Sequence, residues 1–433
     1  MVLAVGAFLA PSVANAQDAV LRGSVTARYG LETETGDSQV AEVLVEPELT
    51  GGFDSNISYT LIGRVRYDAA DELEPGDPGA QSAIRSPWNR RVFLGDDADL
   101  ELREAYVDAY AGDWFFRLGK QQVVWGQSDG LRVLDQVNPL SFREFILGDF
   151  EDRRIPLWMA NIERPIGPVT AQILWIPDTT YNEVPSEGTY AFSSPLFTPD
   201  VPENATSVAI APANRPDQFF SDSDVGLRLT GFAGGWDWSF NALYAYLDSP
   251  IVRRRTVDDG AFEFTPTYER STLVGGSASN AFGKLTLRTE FGYQSNAFVL
   301  TNNAADDDGV EETSELSGVI GLDFQADADT FISGQVFVGH LLDDVPFTTR
   351  DRTTATISLL ASRELKNDRI KLEALLLQDV NQGDGLVQIS GRYNYTNNVT
   401  IRAGADVFYG DHDGFYGQFN DRDRITISIE HGF

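Results

Sequence analysis

Cysteine is absent from this 433-residue sequence, which removes disulfides, thiolate catalysis and cysteine metal sites. Histidine is scarce. His340, His412 and His431 stand far apart, without the spacing of metal ligands, and no phosphate-binding loop accompanies them. His412, between Asp411 and Asp413, is the one candidate for hydrolytic chemistry, and it reads as a solvated loop histidine. The chain is therefore expected not to be an enzyme, and no cofactor or metal is implied. Positive charge is in deficit: 33 Lys and Arg face 65 Asp and Glu, for a net charge of -32. That balance argues against a nucleic-acid partner. Long apolar runs are missing beyond the first residues, and mean hydropathy is -0.22, so no spanning helix is expected. What is abundant is Gly (39), Phe (27) and Tyr (15), a composition for strands and tight turns.

Residues 2–10 are apolar, and Ala14-Asn15-Ala16 forms an A-x-A cleavage signal before Gln17. The pattern predicts a signal peptide over 1–16 and one domain over 17–433. Export without cysteine or a stop-transfer helix fits a Gram-negative envelope.

From about Leu21 one rhythm repeats. Segments of roughly ten residues alternate in polarity, as tilted membrane strands do. Val43, Val45 and Leu49 alternate with Glu42, Glu46 and Glu48; Leu285, Leu287, Phe291 and Tyr293 alternate with Thr286, Arg288 and Glu290. Connections alternate too. Long ones near 31–39, 69–98, 126–152 and 177–221 are interleaved with short ones near 51–55, 111–113, 165–167 and 233–235, and the alternation runs to the end. The short ones carry turn residues such as Gly51-Gly52, Gly112-Asp113 and Gly234-Gly235. A soluble sandwich has no need of that asymmetry; an outer-membrane barrel does. The expected fold is all-β: a transmembrane antiparallel up-and-down β-barrel of about 18 strands, with a short helical insertion in an extracellular loop. The last strand alternates Ile425, Ile427, Ile429, His431 and Phe433 with Thr426, Ser428 and Glu430. It ends on an aromatic, as the signal read by the barrel-assembly machinery does, so Phe433 is expected to engage that machinery. The other expected contacts are outer-membrane lipid and lipopolysaccharide, with the chain a monomer.

The stretch Gly119–Arg154 is too long for a turn and too patterned for a floppy loop. Asn138-Pro139 suits a helix start, and Phe142, Phe145, Ile146 and Phe150 recur at helical spacing. It carries Arg132, Asp135, Arg143, Glu144, Arg153 and Arg154, the candidates for a constriction. On the polar faces of the strands lie Arg64, Arg66, Arg103, Arg117, Arg228, Arg288, Arg392 and Arg402, with Glu290 and Asp406. Opposed arginine and acid walls set a transverse field that orders water and selects solutes, or else form ion pairs that stiffen the barrel. The proline-rich loop 177–221 suits a semi-rigid cover over the mouth.

The run Arg117–Asn161 resembles a large proteobacterial outer-membrane family catalogued as a domain of unknown function. The motifs that carry the resemblance are Gly119-Lys120-Gln121-Gln122-Val123-Val124-Trp125-Gly126, then Asp129-Gly130, Asn138-Pro139, Arg143-Glu144 and Glu151-Asp152-Arg153-Arg154. Members often have Glu after Trp-Gly; here Gln127 stands there. The barrel size is more distantly similar to alginate-export-type porins. The resemblance implies an outer-membrane setting and, from the genes that often neighbour such members, an RND-type exporter and a periplasmic lipid carrier as partners. The functional expectation is a porin-like channel for small solutes, or the outer-membrane step of an export route. The alternatives are a lipid or hydrophobic-compound exporter, and a surface binding or adhesion protein whose barrel is an anchor.

Overall fold

The computed structural model describes residues 17–73, 78–128, 130–185, 187–197, 199–202, 205–258, 260–303, 306–345 and 347–433. The expected leader, 1–16, together with Pro75 and Asp129, falls outside them. Eighteen strands form one closed antiparallel barrel. In chain order they are Gln17–Glu32, Ser38–Gly52, Ile57–Asp68, Ala98–Ala111, Trp114–Gln121, Leu157–Ile166, Val169–Ile176, Asp224–Ala233, Trp236–Tyr246, Arg270–Phe282, Leu285–Leu300, Val310–Gln325, Thr330–Leu341, Thr353–Leu365, Ile370–Asp379, Gly385–Asn394, Val399–Tyr409 and Arg424–Gly432. Each pairs with the next. The last pairs with the first, from Ser24 opposite Gly432 to Glu32 opposite Arg424, so no edge is left unpaired. Phe433 finishes the seam: its N–H donates to Gly23 (2.9 Å), and the Gly23 N–H donates back (3.1 Å). Its ring lies where a Cβ on Gly23 would sit, so the residue there has to be small.

The predicted alternation is what closes the cylinder. Val43, Leu61, Val65, Tyr67, Phe291, Ile389, Val407, Ile425 and Ile427 are exposed on the outer wall. Their neighbours in sequence, among them Glu42, Arg64, Glu290 and Asp406, are buried inside. Apolar atoms outside and ionic ones inside invert a soluble core, and the arrangement is stable where lipid is the outer solvent. The connections confirm two unlike rims. Segments 53–56, 112–113, 167–168, 234–235 and 283–284 are tight, while 69–97, 122–156, 177–223 and 247–269 are long and all emerge at the opposite rim. Among the described residues no helix is long and apolar enough to cross a membrane; the strands do the crossing.

The long loops turn inward. Residues 177–223 carry Tyr190 and Phe192 down against Phe145, Phe408 and Phe419. Ser193 and Ser194 donate their backbone N–H groups to Gln418 of loop 410–423 (3.0 and 3.1 Å). A small separate sheet, Ile251–Asp258 with Ala261–Thr267 and Ser207–Ile210, joins this loop to loop 247–269.

Candidate functional site

Residues 122–156 leave the wall after Gln121 and rejoin it at Leu157, and those two residues are partners in the ladder. The segment between them turns into the lumen and packs on its wall. It is not the helix that the spacing of Phe142, Phe145, Ile146 and Phe150 predicts. Among its described residues the one helix is Phe150–Arg153, at the far end. The reason lies at Asn138. Its Oδ1 accepts from the Val123 N–H (2.8 Å), and its Nδ2 donates to Ile155 (2.9 Å) and Gln121 (3.3 Å). The side chain that should cap a helix instead ties the entry of the insertion to its exit. Beyond it Phe145 adopts φ 52°, a left-handed conformation unusual for a bulky residue. Burial of its ring among Phe408, Phe415, Tyr416 and Phe419 offsets the strain.

Three walls hold the insertion. On the first, Val123, Trp125 and Val137 pack with Leu157, Met159, Leu174, Ile176, Leu243 and Leu273. A Cβ at Gly226 would meet the Trp125 ring at 2.8 Å, so that glycine is the seat of the indole. Gly226→Val is expected to expel Trp125, at a cost of about 1–3 kcal/mol. The check is a red-shifted emission that Trp125→Phe abolishes. On the second wall, Val133 and Leu134 pack on Val319 and Phe337. Glu290 reaches out from its strand and accepts the backbone N–H groups of Gln127, Ser128 (3.0 Å) and Leu134 (3.4 Å). Arg288 beside it donates to the Gln127 carbonyl and pairs with Asp323 (2.8 Å).

The third wall is ionic. Arg143 donates to Glu42 (2.9 Å) and Asp68 (2.6 Å). Glu144 takes Arg424 (2.8 Å) and both Nη groups of Arg28, one of them at 2.9 Å. Asp406 braces Arg424 from behind (2.7 Å). Arg64 pairs with Glu46 and Asp152 (2.8 Å each), and Arg103 donates to the carbonyls of Glu151 (2.6 Å) and Asp152 (3.0 Å). The ladder continues through Arg66, Asp99, Arg91 and Glu183 to Arg85, tying loops 69–97 and 177–223 to the same wall. Burial pushes the Glu144 carboxyl up, but Arg28 and Arg424 outweigh it and hold it at about 2. Glu183 is likewise held at about 2, with burial opposed by Arg85 and Arg91.

Within the insertion Arg154 clamps Asp135 (2.6 Å), and the Arg153 guanidinium stacks over Phe150. Arg132 makes no ion pair among the described residues; it donates to the Asn138 carbonyl (2.8 Å). Arg228 donates to the Val124 carbonyl (3.1 Å). Three expected residues lie away from the insertion, toward the tight-turn rim. Arg117 pairs with Asp108 (2.7 Å), Arg402 pairs with Glu430 (2.8 Å), and Arg392 sits opposite both Arg402 and Lys371. The partners Arg28 and Arg424 were not singled out from the sequence. Arg424 continues the inward face of Thr426, Ser428 and Glu430, so the parity of the last strand is the signal for it.

Three cavities draw on the insertion: one, beside Gln127, lies at the wall of Arg228 and Asp237, and the other two flank the segment. Of these two, one, of about 690 Å³, opens toward the long-loop rim and has Leu131, Arg132 and Gln136 of the insertion in its floor. The other, of about 480 Å³, lies toward the tight-turn rim and is roofed by Arg143, Glu144, Asp149 and Asp152. Their linings have no residue in common. The insertion contributes side chains to both linings.

A closed, ion-lined cylinder with an inserted segment is a porin-like barrel, the fold typical of outer-membrane proteins. Its family follows from the sequence: the chain belongs to the family described as "Protein of unknown function (DUF1302)", whose model matches residues 31–433. No curated protein matches it in sequence. Among solved structures it is similar to OccAB3 of Acinetobacter baumannii, at 10% identity and a TM-score of 0.53, covering 96% of this chain and 99% of that one. A mutant of the Rh. blastica porin (10% identity, TM-score 0.42) and the Salmonella typhi OmpF complex with daunomycin (11%, 0.42) align over 96% of this chain and 100% and 97% of theirs.

Proposed function

We propose that this protein is an outer-membrane channel whose conductance is set by the 122–156 partition. The observation that carries the reading is the anchoring of one inserted segment to three walls between two cavities. A barrel that served only as an anchor would need no such division. The lumen arginines and acids are mostly consumed in holding the partition, so they act on passage by fixing its position. The setting is the outer membrane of a Gram-negative cell, with export begun by an inner-membrane pump of the RND type as one route that would use it. Phe433 would serve as the assembly signal, since its ring closes the seam and its deletion leaves Gly23 uncovered. Barrels lacking Phe433 are expected to reach the outer membrane in reduced yield, and an unchanged yield of heat-modifiable protein counts against that role. Purified protein in a planar bilayer is expected to give a steady, small conductance. Silence both with and without the partition counts against the channel.

A second reading has its own support. The outer cavity is walled by Leu196, Phe197, Leu243, Leu273, Phe298 and Phe415. Such a lining favours passengers with an apolar body over purely hydrophilic ones. Co-purified lipid or hydrophobic compound in that cavity would support it.

A further inference from the structure

We propose that the outer cavity is a binding site for an amphipathic anion: a molecule with one anionic group on an apolar body, held by Arg132. The inference deepens the channel reading by naming a passenger class for the same bore.

Three observations meet there. The cavity's volume, about 690 Å³, is that of a small-molecule site. Its walls mix polar side chains with an aliphatic and aromatic share that includes Leu243, Leu273 and Phe298, and Phe197 of loop 177–223 forms part of the cover. At its floor stands Arg132, a guanidinium with no ion pair among the described residues. Elsewhere on the insertion, Arg143 and Arg154 are in ion pairs at 2.6–2.9 Å. Arg132 has a carbonyl for a partner and, among the described residues, no carboxylate at ion-pair distance. A half-buried guanidinium left so is costly unless an anion arrives, and its fork matches carboxylate or phosphate.

Among the described residues, none of the other charges lining the cavity forms an ion pair with Arg132. Arg350 is taken by Glu315 (2.7 Å). Asp379 caps the backbone N–H groups of Asn381 (2.8 Å) and Gln382 (2.9 Å), and Asp351 accepts from the Asn381 side chain (2.8 Å). Asp248 is the acid nearest in field to Arg132. Burial pushes its carboxyl up to about 7 against the pull of that guanidinium. Near neutral pH it is therefore partly protonated, and it offers a hydrogen-bond donor to an anion as readily as a repelling charge.

The test uses the full chain, purified in detergent and titrated calorimetrically with octanoate, octanol and acetate against protein-free micelles. Octanoate is expected to bind, and acetate and octanol to bind more weakly. Arg132→Gln is expected to weaken octanoate by about tenfold or more, the loss of one charged hydrogen-bonding contact. Phe197→Ser, which trims the cover and leaves the guanidinium, is expected to weaken octanoate and spare acetate. Arg402→Gln, in the other cavity, should change neither. Heat-modifiable gel mobility establishes that each variant is a folded barrel. Octanoate binding that is absent, equal to that of octanol, or indifferent to either Arg132→Gln or Phe197→Ser overturns the proposal. Because conductance is measured separately, such a result leaves the channel reading standing.

Discussion

Replacing residues 123–155 with a tight Gly-rich turn is expected to raise single-channel conductance several-fold and leave the barrel folded. The wall permits this surgery. Gln121 and Leu157 are already ladder partners, so a short turn joins two strands in the register they hold now. What is lost is the floor between two cavities, together with the apolar contacts of Trp125, Leu134 and Phe145. The exposed wall becomes wet, and the residues it exposes include Arg28, Arg64, Arg103 and Arg424, freed from Glu144, Asp152 and the carbonyl of Glu151. Conductance should therefore rise with a shift toward anion preference. The measurement is a planar-bilayer recording with reversal potentials in a salt gradient.

Charge reversal at a single position should approach the same result. Glu144→Arg sets a further guanidinium against Arg28, Arg143 and Arg424. Breaking one such buried pair costs about 3–5 kcal/mol, and reversal adds repulsion. The insertion's third anchor then fails, while the strands, with their own ladders, remain. Acid should reproduce this in the natural chain. Glu144 and Glu183 are held at about 2, below their ordinary 4.5, so their contribution to stability is complete above 4.5 and is lost as pH falls toward 2. Conductance is expected to climb across that window in the natural chain and to be already high, and flatter with pH, in Glu144→Arg. A conductance flat between pH 5 and pH 2 would remove the ionic anchor from the account.

The barrel was legible because its rules are local. Alternation with period two, Gly and Asn at the tight turns and a long loop after every second strand all lie within a few residues of each other. The place of the insertion was legible too, since a 35-residue gap between ladder partners has few uses in a barrel. Its conformation was not. Aromatics three and four apart satisfy a helix, but here the chain wraps, and Phe142, Phe145 and Ile146 reach one apolar cluster from a turn with positive φ. Nor were the partners legible. Glu144 finds Arg28 across 116 residues and Arg424 across 280, distances over which periodicity carries no information. Gly226 and Gly275 look like ordinary strand glycines until Trp125 and Leu134 are seen lying against them. Arg392 and Arg402 share the polar face with Arg64 and Arg66 without sharing their place beside the insertion, because parity fixes a face without fixing a height along the bore.

Side-specific thiol labelling bears most directly on the partition, and the lack of native cysteine makes it clean. Thr354→Cys reports on the outer cavity and Ser428→Cys on the inner one. A charged methanethiosulfonate reagent added at the long-loop side of reconstituted protein should modify position 354 quickly and position 428 far more slowly. Replacement of 123–155 should bring the two rates together. Equal rates in the intact barrel would mean that the insertion does not divide the bore.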